Sequence, residues 1–120
     1  MANPNIVNVT SIYGKTLGAS LGTTLTTSLL TCASEKLYKI NSIIVSNIDG
    51  SVTSDATIYF YDGSSDWPLA KGVAVPIKTT LVVLGKDAPI YLEEADQIRG
   101  GASSSGDLDV IISYEILDDA

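Results

Sequence analysis

The stretch TTLVVLGKDAPIYLEEADQIRGGASSSGDLDVIISYEIL, residues 79–117, decides the fold class. It carries three apolar runs, at 81–84, 90–92 and 108–116. Gly85-Lys86-Asp87 separates the first two, and a polar corner followed by a loop, 93–106, separates the last two. Each run is short, rich in β-branched or aromatic residues and bounded by Gly, Asp or Pro, as strands of a small sheet protein are. The last run alternates. Leu108, Val110, Ile112, Tyr114 and Ile116 share one face, while Asp107, Asp109, Ile111, Ser113, Glu115 and Leu117 fall on the other, which is mostly polar. A side-chain period of two lets one face be dry and the other wet.

The same grammar extends upstream. Residues 6–13 alternate loosely and read as a first strand, polar enough to be an arm that pairs with a neighbouring subunit. Gly14, Gly18 and Gly22 then read as turns or bulges. Residues 25–32 are Thr-rich and apolar, suiting an edge strand. Residues 36–48 form the longest candidate, with bulky apolar residues on both faces near its middle, so a central strand covered on both sides there, with a partner subunit as one cover, is expected. Asp49-Gly50 is a turn signal. ATIYFY, 56–61, is the next strand, with Tyr59 and Tyr61 facing away from Ala56, Ile58 and Phe60. Pro68 and Pro76 frame 69–75 as an edge strand. The best helical candidate is one turn at 93–98. The expectation is an all-β chain of about eight to nine short strands in a two-sheet β-sandwich, jelly-roll or immunoglobulin-like, with almost no helix. Residues 1–15 are assigned to an extended strand or arm, and 16–120 to one sandwich domain.

Composition agrees. The chain has 120 residues, 45% of them hydrophobic, enough for one core without disulfide or metal. Its formal net charge is -7. The basic residues Lys15, Lys36, Lys39, Lys71, Lys78, Lys86 and Arg99 form no stripe, which argues against nucleic acid and against an anionic membrane surface as partners. The opening Met1-Ala2-Asn3-Pro4-Asn5 lacks the basic start and apolar core of an export signal, so none is expected. No apolar run approaches the ~20 residues of a membrane helix. Cys32 is the one cysteine and reads as a small buried core residue.

Chemistry is sparse. With no histidine, Ser-His and Cys-His nucleophile pairs and His-based zinc sites are excluded. Glu93, Glu94 and Asp96 could in principle form an acid/base pair, but a solvated corner that discourages edge pairing explains them better. Asp49, Asp55, Asp62 and Asp66 sit in Gly/Ser-rich loops; calcium could use such oxygens, and turn chemistry explains them without it. Ser64-Ser65, Ser103-Ser104-Ser105 and Gly100-Gly101-Ala102 match no nucleophile elbow or phosphate loop and read as loop residues. The reading is of a non-enzymatic protein without cofactor or metal. Trp67 is a candidate recognition aromatic or a cap on the end of the sandwich.

Five segments carry a resemblance over nearly the whole chain. They are MANPNIVNVTSIYGKT (1–16), KLYKINSIIVSNIDG (36–50), ATIYFYDG (56–63), LVVLGKDAPIYLEEADQIR (81–99) and the closing DLDVIISYEIL. Together the chain resembles small virion structural proteins of tailed phages, especially those of marine T4-like myoviruses. The resemblance implies a β-sandwich module located in the virion and assembled in the host cytoplasm, with no enzyme activity and no cofactor. The resemblance does not fix a place in the virion; taken with the missing catalytic residues and the two-sided apolar strand at 36–48, the leading expectation is a capsid decoration (cement) protein whose partners are the phage major capsid protein or other virion proteins, acting as a homo-oligomer, with a trimer expected. The alternatives are a tail, neck or fibre-base protein, or a carbohydrate- or surface-binding module that uses Tyr59, Tyr61, Trp67 and the loop aspartates. Ile6, Val7, Val9, Ile12, Tyr13, Tyr59, Tyr61 and Trp67 are the expected partner or subunit contacts.

Overall fold

The structure, a computed structural model, describes residues 11–118. Nine strands run in the order β1 (Ser11–Ser20), β2 (Ser28–Thr31), β3 (Lys36–Asn47), β4 (Ser54–Tyr61), β5 (Asp66–Val75), β6 (Thr80–Leu84), β7 (Ile90–Leu92), β8 (Gln97–Ala102) and β9 (Leu108–Asp118). Two antiparallel sheets pack as a sandwich. One is ordered β1-β9-β3-β6, with β7 also on β3; the other is β2-β8-β4-β5. β6 and β7 occupy successive lengths of the same β3 edge, at Ile43–Ser46 and Tyr38–Ile40. Counted as one position, they leave two four-stranded layers in which most connections cross from sheet to sheet. That is a jelly roll; in an immunoglobulin sandwich the first two strands would pair in one sheet.

The core lies between the layers. Leu108, Val110, Ile112, Tyr114 and Ile116 of β9 all point inward, so the alternation predicts the face correctly. Opposite them, Ala56 and Ile58 of β4 and Ile98 of β8 are fully buried. Each large aliphatic side chain removed from water in this way contributes roughly 1.5–3 kcal/mol. Cys32 is buried in the same cluster, as expected. β2 and β5 are edge strands, also as expected.

Several expectations are corrected. The first described strand is Ser11–Ser20, so the boundary drawn at residue 15 falls inside it, and Gly14 and Gly18 lie within it and not at turns. Its register with β9 is unbroken from Ser11↔Asp118 to Ser20↔Asp109. Leu17 and Ala19 pack against the core from one face of the strand, while Gly14 and Gly18 lie on its other, exposed face, where no side chain is needed to fill a core. The part of the expected arm at 6–10 lies outside the described residues.

A bulge accounts for much of the two-sided apolar pattern of β3. Its pairing with β9 jumps from Ile40↔Tyr114 to Ser42↔Ser113, leaving Asn41 as an extra residue. Such a bulge resets the alternation. Tyr38 and Ile40 before it, and Ile43, Val45 and Asn47 after it, all become buried. Asn41 donates its amide to Glu115 Oε2 at 2.8 Å.

The expected loop at 93–106 contains a strand. β8 is a central strand of the second sheet, paired with both β2 and β4. Its Gly100 and Gly101 lack side chains because backbone lies where a Cβ would stand. At Gly100 that atom would be 2.5 Å from Thr57 O, and at Gly101 2.7 Å from Thr24 O and 2.8 Å from Gly22 O. No helix forms at 93–98. Glu94 and Ala95 make a turn that leads into β8.

Two buried polar side chains tie loops to this frame. Asn47 donates to Val52 O (2.9 Å) and Val75 O (2.8 Å) and accepts from the Asp49 amide (2.8 Å). Thr57 Oγ1 accepts from the Gly72 amide at 3.1 Å, where β5 bulges through a glycine at φ 63°.

These contacts separate two kinds of glycine. Gly100→Ala or Gly101→Ala should lower stability by about 1–3 kcal/mol or prevent folding, because backbone must move to admit the methyl. Gly14→Ala and Gly18→Ala meet nothing within 4 Å and should be neutral or stabilising by up to about 1 kcal/mol. Urea unfolding midpoints of the four variants measure the contrast.

Candidate interaction surfaces

Tyr59 and Tyr61 project outward from β4, as their alternation requires. Arg99 of β8 lies over the Tyr61 ring, its guanidinium carbon 3.4 Å from the centroid. Arg99 also donates from Nε to Gln97 Oε1 (3.0 Å) and pairs with Asp66 at 3.6 Å. Tyr61 gives its hydroxyl to Gly63 O at 3.0 Å. One face of this ring and its polar tip are therefore committed within the protein. That disfavours Tyr61 as a stacking platform for a sugar.

Trp67 is not on that surface. β5 pairs Trp67 with Phe60 and Asp66 with Tyr61, and directly opposed residues project to the same side. Trp67 thus lies on the Phe60 side, at the end of the sandwich, and is 55% exposed. Its indole donates to Asp62 Oδ2 at 2.9 Å, while Asp62 Oδ1 accepts from the Ser64 and Ser65 amides at 2.9 and 2.8 Å. The three expected aromatics therefore divide between two surfaces.

The carboxylates expected to be solvated or ligand-binding are largely occupied in turns. Glu94 Oε1 accepts from Ser34 Oγ (2.8 Å) and the Glu35 amide (2.6 Å), fastening the turn where Glu35 adopts φ 59°. Asp96 Oδ2 accepts from the Glu93 amide at 2.9 Å, and burial pushes its carboxyl above the ordinary range. Asp49 Oδ1 accepts from the Ser51 amide. Among the described residues no group of three or more Cys, Asp or Glu side chains could hold a metal ion. Burial also pushes the Cys32 thiol up to about 11, with its proton directed at Lys36 O, 3.3 Å away. Such a thiol is a weak nucleophile at neutral pH.

The outer face of the five-stranded sheet carries an apolar row that sequence reading did not align. Registers align Gly18 with Ile111, Ile111 with Ile44, and Ile44 with Val82. This row crosses four strands. Ile111 is 40% and Val82 61% exposed. Polar rows flank it, Thr16–Ser113–Ser42 on one side and Ser20–Asp109–Ser46–Thr80 on the other. Each strand offers only one residue to the row, so no linear pattern reveals it. Farther along β1, Ile12 and Tyr13 are 58% and 53% exposed on opposite faces. A shallow groove of about 400 Å³ opens there, lined by Ile12, Gly14, Lys15, Asn41 and Glu115 among others. Of the remaining expected contacts, Ile6, Val7 and Val9 lie outside the described residues.

Comparison with known proteins finds no matching family model, no matching curated protein and no matching solved structure.

The Asp62–Trp67 contact gives a spectroscopic test. Hydrogen bonds from Trp67 and from the Ser64 and Ser65 amides hold the Asp62 carboxyl far below its ordinary 3.8. A depressed folded value means its contribution is present above the unfolded value and is lost as pH falls through the folded one. Emission of Trp67, the one tryptophan, should stay constant from neutral pH through the ordinary carboxylate range and change only below it. Asp62→Asn should abolish that acid transition. A midpoint near pH 4 in the unsubstituted protein would contradict the assignment.

Proposed function

We propose that this chain is a non-enzymatic structural protein of a phage virion, a decoration protein that cements the head shell through contact with the major capsid protein. The observation that carries the reading is the apolar row Gly18–Ile111–Ile44–Val82 on a sheet face bordered by serine, threonine and Asp109. Contiguous exposed apolar surface rimmed by polar residues marks protein contact. The jelly roll adds fold-level support only, since the architecture is common in viral capsid domains and also occurs in lectins and cupins. The turn roles of Glu94, Asp96, Asp49 and Asp62 leave those carboxylates little freedom for catalysis. The protein acts as a homo-oligomer. A shell of many identical sites lets weak individual contacts hold such a protein through multivalency.

A tail, neck or fibre-base location uses the same surface on a different partner. Gold labelling of intact particles separates the two, with label over the head supporting the cement reading and label on the tail refuting it. Co-sedimentation with empty heads tests the surface itself. The unsubstituted chain should pellet with heads, and Val82→Glu together with Ile111→Glu should weaken that binding by about tenfold or more. Both positions are exposed, so circular dichroism of the variant should be unchanged. Equal binding by the two proteins would rule this face out.

A further inference from the structure

A sheet edge left open invites another strand, and proteins usually blunt such edges. Three of the four edges here are blunted. β2 has four residues and an irregular register. β5 carries Pro68, a positive-φ Gly72 and two register shifts. The β6/β7 edge is split by 85–89 into strands of five and three residues. β1 differs. It has ten residues, no proline, no irregularity against β9 and a single charge, Lys15. Among the described strands no neighbour lies on its outer side.

We infer that β1 is a self-association strand, pairing antiparallel with β1 of a second copy about a two-fold axis at Thr16. This rests on the proposal that the chain works by protein contact, and it names the partner of one edge. The register follows from three constraints. Continuity of both faces across the axis requires inward residues to oppose inward ones. An axis at Lys15 would oppose two ammonium groups, which is unfavourable. An axis at Leu17 would shorten the overlap. An axis at Thr16 uses residues 12–20 and sets Ile12 against Ser20 and Tyr13 against Ala19, a large side chain against a small one each time. Gly14 then meets Gly18.

Charge favours the same choice. The chain carries -7 overall, yet no Asp or Glu precedes Glu35. Two copies carry a net mutual repulsion, and β1 adds no acidic side chain of its own to the contact, a property it shares with β2, β6 and β7 but, among the four edges, alone combines with a long regular strand. The edge is isologous, so it builds pairs; three copies would need a different contact. One strand pair buries little area, so the free protein should pair weakly.

Size-exclusion chromatography with light scattering, on the full chain from micromolar to millimolar concentration, tests this. The unsubstituted protein should rise from one chain mass towards two. Thr16→Lys alone and Thr16→Glu alone should each associate at least about tenfold more weakly, because like charges then face each other at the axis. An equimolar mixture of the two should regain the two-chain mass. Val73→Lys on the blunted β5 edge should change nothing. Circular dichroism verifies that each variant folds. A wild-type chain that stays monomeric, reaches three copies, or keeps pairing in both Thr16 variants would overturn the inference. So would a mixture that stays monomeric, the outcome expected if the open edge serves a foreign strand. The particle-labelling result is independent: pairing without virion location would sink the function and leave the edge standing.

Discussion

One extra residue, Asn41, decides which side of the longest strand is dry. β3 and β9 form the central ladder of the larger sheet, and β9 alternates without interruption. β3 can match it only if Tyr38, Ile40, Ile43 and Val45 share a face, which a strict period of two forbids. The bulge supplies the missing half-step, and the Asn41 amide anchors it to Glu115. Without it, either half of β3 would turn its apolar set to water, since a slip of one residue exchanges the faces. The packing of β6 and β7 along β3 follows from that choice.

The second sheet depends on a complementary device. β8 is wedged between β2 and β4 and has the loop at 22–25 lying against it, so two of its residues must do without side chains. Gly100 and Gly101 meet that demand at an entropic cost that glycine brings to any strand. Buried Thr57 and Asn47 then bind the bulge of β5 and the loop after β3 into the same layer. The polar atoms closest to the core are thus spent on architecture, which is why the described residues show turns fastened by carboxylates where a reaction centre might have been sought.

The outward surfaces follow from this arrangement. Because the bulge turns Ile43 and Val45 inward, Ile44 is left outside, and the registers align it with Ile111 and Val82. The same continuous ladder that makes β9 central leaves β1 at the margin with regular backbone. The apolar face and the open edge belong to one sheet, so a contact at the edge extends the face across two copies. The smaller sheet presents a different chemistry, with Arg99 lying over Tyr61 and reaching Asp66.

Periodicity alone determined a good deal: the all-β class, the inward set of β9, the edge positions of β2 and β5, and the burial of Cys32. These depend on neighbouring residues and on local turn chemistry, which a chain displays directly. Tertiary structure alone decided the rest. Gly100-Gly101-Ala102 resembles a loop until the strands on either side are in place, because the reason for glycine is another segment's backbone. The mixed faces of residues 36–48 show no single period until the register with β9 exposes Asn41 as surplus. Gly14 and Gly18 resemble turns until β9 is seen to run unbroken beside them. The row from Gly18 to Val82 takes one residue from each of four strands, and only pairing brings those residues within reach of each other.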